Sequence, residues 1–111
     1  MIKLGTKGYK ILQSGERGLR IILPQEWTGD RGLKQGSLVY AKNDGNQILI
    51  IDDYDRASEG KFTAYTLRVG NCITIPKSWG YEKGMKMYRY LTGGNERIGD
   101  LVLSLKEDLH E

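Results

Sequence analysis

The chain has 111 residues, 39% apolar and 28% charged, with a formal net charge of +3; this is the size of one domain or two very small ones. No apolar run approaches the roughly 18 to 20 residues that cross a bilayer as a helix, and the single cysteine rules out an internal disulfide and points to an intracellular setting. The opening Met1-Ile2-Lys3-Leu4-Gly5 has neither the apolar core nor the cleavage site of a signal peptide, so a cytoplasmic location is expected.

Fifteen glycines against two prolines predict many short strands joined by turns and exclude a helical bundle. In chain order, Tyr9–Gln13 is the first strand candidate. Leu19, Ile21 and Leu23 then alternate with Arg20 and Ile22, the pattern of a half-buried strand with Arg20 facing out. Pro24 suits the first turn of a short helix, Trp27 follows one turn later as an apolar plug, and Gly32 is a plausible stop. Ser37–Lys42, Asn43-Asp44-Gly45-Asn46 and Gln47–Ile51 make a strong hairpin signal. The acidic stretch from Asp52 to Gly60 is the obvious linker. Strand candidates resume at Phe62–Val69 and at Asn71–Ile75, where Cys72 and Thr74 are expected to face out. Pro76 and Trp79 come next, followed by Lys86–Leu91, a Thr92-Gly93-Gly94-Asn95 turn and Ile98–Leu105.

This order repeats. Leu19-Arg20-Ile21-Ile22-Leu23-Pro24-Gln25-Glu26-Trp27 is matched 52 positions on by Asn71-Cys72-Ile73-Thr74-Ile75-Pro76-Lys77-Ser78-Trp79, using both prolines and both tryptophans of the chain. Proline to glycine is 12 residues in the first copy (Pro24 to Gly36) and 8 in the second (Pro76 to Gly84), so the second has lost about one helical turn. The charge follows the same period. Residues 1–23 hold Lys3, Lys7, Lys10, Arg17 and Arg20 against Glu16, for +4. Residues 61–90 hold Lys61, Arg68, Lys77, Lys83, Lys86 and Arg89 against Glu82, for +5. Residues 24–60 and 91–111 each come to −3. A copy of about 45 to 50 residues is near the lower limit for independent folding, so the two are expected to intertwine. The resulting division is a first half at 1–52, an acidic linker at 53–60, a second half at 61–105 and an acidic tail at 106–111.

The stretch from Gly18 through Leu23-Pro24-Gln25-Glu26-Trp27, followed by Gly32-Leu33-Lys34-Gln35-Gly36-Ser37, resembles the AbrB/MazE/SpoVT swapped-hairpin superfamily. Asp44-Gly45 before Ile48-Leu49-Ile50 is similar to that family's closing hairpin, and Arg68-Val69-Gly70-Asn71 with Ile73-Thr74-Ile75-Pro76 looks most like its MazE antitoxin branch. The resemblance covers roughly residues 5–52 and 61–105. It implies a mainly β fold with short helices, a tandem AbrB-like pseudo-dimeric β-barrel in which one chain supplies both halves. It also implies a DNA-binding body. The departures are Cys72 at the position equivalent to the basic Arg20, Ser37 where the family prefers Asp, and the shortened second helix.

Basic residues near strand ends and glycine loops can neutralise phosphates and release condensed counterions. Lys7, Lys10, Arg17 and Arg20 form one candidate DNA-binding cluster, and Arg68, Asn71 and Lys77 the second. Arg20 or Asn71 could reach base edges while the others set orientation. The expected partner is double-stranded DNA, the expected role transcriptional regulation near the nucleoid, and the expected state a pseudo-dimeric monomer with further dimerisation open. Two alternatives stand beside it: an antitoxin-like or adaptor module gripping a protein through the acidic tail or linker, and a small β-barrel binding RNA. Trp27 and Trp79 are expected in the core, and Tyr40, Tyr88 and Tyr90 as packing. Nothing predicts an enzyme, a cofactor or a metal. His110 lies next to the C-terminus, where fraying is the default, and at the opposite end of the second copy from Cys72; Asp52, Asp53 and Asp55 read as hydrated linker; and Gly93-Gly94 lacks the Gly-Lys-Ser/Thr of a phosphate loop.

Overall fold

The computed structural model describes residues 2–16, 18–93 and 99–107. Met1, Arg17, residues 94–98 with Gly94 and Asn95 of the second hairpin turn, and residues 108–111 with His110 lie outside them. Strand accounts for 44% of the structure and helix for 15%, so the protein is mainly β, built from antiparallel sheets. Among the described residues, no helix is long and apolar enough to cross a membrane.

The glycine turns cut the chain into short strands: β1 (Ile2–Lys3), β2 (Tyr9–Lys10), β3 (Leu12–Ser14), β4 (Gly18–Ile22), β5 (Leu38–Asp44), β6 (Gln47–Ile51), β7 (Thr63–Thr66), β8 (Cys72–Pro76), β9 (Lys86–Leu91) and β10 (Leu101–Ser104). Two helices join them, α1 (Gln25–Asp30) and α2 (Tyr54–Glu59), and a 3-10 helix at Lys77–Trp79. The larger sheet runs β1-β9-β10-β6-β5-β7, with β2 also on β9, and the smaller runs β3-β4-β8.

The two copies pair through their equivalent strands. In the β4–β8 ladder Ile21 lies opposite Ile73, its own counterpart 52 residues later, so a pseudo-twofold axis passes between them. The same relation holds in the large sheet, where β6 meets β10 with Leu49 opposite Val102. It extends to backbone hydrogen bonds. Gly36 N donates to Leu67 O and Leu67 N to Ser37 O, both 2.8 Å, while Gly84 N donates to Ile11 O and Ile11 N to Met85 O, also 2.8 Å. Each hairpin is thereby flanked by a strand of the other copy, β5 by β7 and β9 by β2. Ile11 and Leu67, both 1% exposed, mark where the chain passes from one sheet to the other, which is why Tyr9–Gln13 forms two short strands instead of one.

Between the sheets lies one core, holding Leu19 and Ile21 of β4 with Leu23 just after it, Ile73 and Ile75 of β8, and Ile48, Ile50, Leu101 and Leu103 of the central hairpin strands. These are the inward members of the alternating patterns. Trp27 is completely buried and its indole N–H donates to Gly99 O of the other copy's hairpin at 3.0 Å. The second copy returns the contact differently. Asn43 of the first hairpin donates to Trp79 O at 3.1 Å, and the Tyr81 hydroxyl lies 3.0 Å from Asn43 Oδ1 and 2.9 Å from Gly45 O. Burial, reinforced by Asp44, pushes the Tyr81 phenol up to about 12.

Several local expectations change. Pro24 and Pro76 are not in the first helical turn; both are extended N-cap residues, at φ −69°, ψ 132° and φ −75°, ψ 143°. The ring fixes φ at a value common to both conformations and leaves ψ open, and strand pairing in β8 chooses the extended one. The segment 53–60 is not merely a connection, because it carries α2, whose Asp53 side chain accepts from Asp55 N at 3.0 Å and whose Ala57 is buried. Cys72 does not face solvent. It is 2% exposed, because the turn at 68–71 closes over it through the Arg68–Cys72 bridge, and its thiol donates to Val69 O.

Candidate nucleic-acid interface

Directly opposed residues in an antiparallel ladder point to the same face. Leu12 opposes Arg20 and Ser14 opposes Gly18 across β3–β4, while Arg20 opposes Thr74 and Ile22 opposes Cys72 across β4–β8. With Leu19 and Ile21 facing the core, this second set forms the outer face of the small sheet, and the exposed Arg20 stands at its middle. Gly18 is needed for a steric reason. A Cβ there would lie 2.7 Å from both Ser14 O and Thr74 Cγ2, and without one the Ser14 and Thr74 hydroxyls come to 3.4 Å.

Two cavities flank this face. One, of about 540 Å³, is lined by Arg20, Arg68, Gln35, Ser14, Thr66 and Thr74 among others. The second, of about 570 Å³, is lined by Lys7, Tyr9, Lys10, Ile22, Lys86 and Tyr88 among others. They correspond under the pseudo-twofold axis, since Thr66 and Lys10 sit one residue before the matched Leu67 and Ile11, and Thr74 matches Ile22. Their chemistry differs: guanidinium and hydroxyl groups on one side, ammonium groups and aromatic rings on the other.

The fold thus brings Arg20 and Arg68 together from different copies, and Lys7 together with Lys10. It does not bring Lys77 to either cavity. Exposed Lys77 lines a separate depression of about 350 Å³ with Glu16, Pro76 and Ser78. Both amide N–H donors of Asn71 are spent inside the protein, so they do not serve to read bases. Its Nδ2 donates to Leu23 O at 2.8 Å and Thr28 Oγ1 at 3.0 Å, holding a left-handed backbone (φ 58°). Such a conformation suits Asn better than most residues. Arg17 lies outside the described residues.

Arg89, Lys86, Gln35 and Tyr9 are additional to the expected cluster. Arg89 is 6% exposed, donates from Nη2 to Ile22 O at 2.8 Å, and has its guanidinium carbon 3.4 Å from the Tyr9 ring centroid. Desolvation holds its pKa below the usual arginine value. The alternation Met87, Arg89, Leu91 was the signal that Arg89 points inward. Among the described residues no group of three or more His, Cys, Asp or Glu could hold a metal ion.

No family model matches this chain, and no curated protein or solved structure matches it either.

Proposed function

We propose that this protein binds double-stranded DNA through the outer face of the small sheet, as a tandem AbrB-like pseudo-dimer acting as a transcriptional regulator in the cytoplasm, near the nucleoid. The observation that carries the reading is the meeting of Arg20 and Arg68, one from each copy, around one cavity beside the Ile21–Ile73 axis. Two unequal halves about a pseudo-twofold axis suit an imperfect palindrome. Arg20, Arg68, Lys7 and Lys10 supply the phosphate contacts, and Lys77 an outlying one.

The test is titration of labelled duplex DNA at several salt concentrations. Five phosphate contacts predict log K falling with log salt at a slope of about −4.5, and about −3 after Arg20→Ala with Arg68→Ala. Absence of binding at low salt, or affinity indifferent to salt, sinks the reading. A second reading, a protein-capturing adaptor, draws on α2, where Tyr54 is 67% exposed among Asp52, Asp53, Asp55 and Glu59. Under that reading, changing Tyr54 to Ala abolishes partner capture while DNA binding survives.

A further inference from the structure

We propose that the lysine–tyrosine cavity is a binding site for an unpaired nucleic-acid strand, with a base stacked on Tyr9 and the flanking phosphates on Lys7, Lys10 and Lys86. This goes beyond the duplex reading and needs none of it.

The charge arrangement is the first reason. Lys10 lies directly opposite Lys86 in the β2–β9 ladder, a like-charge pairing that costs stability in a sheet. Lys7 lines the same cavity, and Glu107 is the only carboxylate among its described lining residues. A phosphate between the two ammonium groups converts that repulsion into two favourable contacts. Tyr90 holds the Glu107 backbone in place, its hydroxyl donating to Lys106 O at 3.0 Å and to Glu107 O.

The ring arrangement is the second. Tyr9 is 37% exposed in a cavity wall, yet it is not loose, because the buried Arg89 guanidinium stacks on it and is itself held by Ile22 O. Arg89 is absent from the cavity's lining while Tyr9 and Lys7 are part of it, and Lys7 Nζ stands 5.8 Å from the Tyr9 ring centroid, so a base laid on the ring moves that flexible ammonium aside toward its own phosphate. Tyr88 lines the same space, with Gly8 so close that a Cβ would come within 2.9 Å of its ring. A fixed aromatic face beside several cations is what a single strand requires. Every base offers a π-face, and stacking needs the base out of its duplex. The Arg20 cavity has the cations without an aromatic lining, so the preference belongs to one half only.

The experiment uses the full chain and a labelled oligothymidine of about 12 nucleotides, read by fluorescence anisotropy, with oligouridine, duplex DNA of equal length and inorganic polyphosphate as further arms. Oligothymidine is expected to bind more tightly than polyphosphate. Tyr9→Leu, which keeps apolar bulk over Arg89, should weaken it about tenfold, while Tyr9→Phe retains binding. Glu107→Gln should strengthen it about twofold by removing a repelling carboxylate. Tighter binding of oligouridine would identify the strand as RNA and tighter oligothymidine as DNA; either supports the site. Polyphosphate binding as tightly as the tighter of the two oligonucleotides, or Tyr9→Leu binding like the parent protein, overturns the proposal. Loss of the duplex arm alone overturns only the duplex reading.

Discussion

Trp27 and Trp79 follow equivalent prolines, yet Trp27 is completely buried while Trp79 is half-buried, packed edge-on against Tyr65 with ring centroids 5.9 Å apart. The helix lengths explain the difference. Six residues of α1 carry Trp27 far enough round to reach Gly99 O of the opposite hairpin. Three residues of 3-10 helix, stopped by Gly80 at φ 95°, leave Trp79 short, and the reach toward the opposite hairpin passes to Tyr81. The outer face shows the same unequal division. Arg20 stands exposed where its counterpart Cys72 is sealed by a turn. Duplication supplied matched backbones, and small differences in length and side chain then separated a structural lock from a surface.

The largest expected effect tests that lock. Trp27→Ala should cost about 3–5 kcal/mol, measured by urea denaturation, and Trp79→Ala clearly less; equal losses would erase the distinction between the two tryptophans. Gly18→Ala comes next. Its Cβ meets backbone at Ser14 and the methyl of Thr74, so a loss of about 1–3 kcal/mol is expected, whereas Gly29→Ala, which meets nothing, should be neutral or slightly stabilising because it raises helix propensity. Tyr81→Phe should cost about 1 kcal/mol and sharpen the idea that Tyr81 substitutes for a longer helix. The folded phenol titrates at about 12, above its usual value near 10, so Tyr81 contributes stability that is complete below about pH 10 and lost as pH rises toward 12. Denaturation across that window should show the loss in the parent and a smaller one in Tyr81→Phe. The smallest effect belongs to Arg56 and Asp100, whose guanidinium–carboxylate pair ties α2 to the start of β10. Both are partly in solvent, so Arg56→Ala should cost at most about 1 kcal/mol and less at high salt.

Much of the fold was legible because strand alternation and glycine turns are local. Leu19, Ile21 and Leu23 announced their inward face, and Gly45, at φ 67°, ends the first hairpin where the sequence suggested. The duplicated Pro-x-x-Trp marked the pairing unit. The candidate site was less legible. Arg20 and Arg68 are 48 positions apart in the chain, and only the β4–β8 pairing and the β7 connection bring them to one cavity. Asn71 looked like a reader of bases, but its amide donors serve Leu23 and Thr28, a bond between copies that no local pattern encodes. Tyr9 looked like an ordinary strand residue until Arg89, from the other copy, was found stacked on it.

By itself, then, the sequence determined the mainly β character, the repeat and the identity of the inward faces, because these follow from periodicity and turn chemistry within a few residues. The tertiary structure decided which charges are neighbours, which polar groups are spent on holding the halves together, and which aromatic ring is held rigid in a cavity wall. Those outcomes depend on contacts between segments tens of residues apart, where packing and hydrogen-bond satisfaction, not local preference, select the partner.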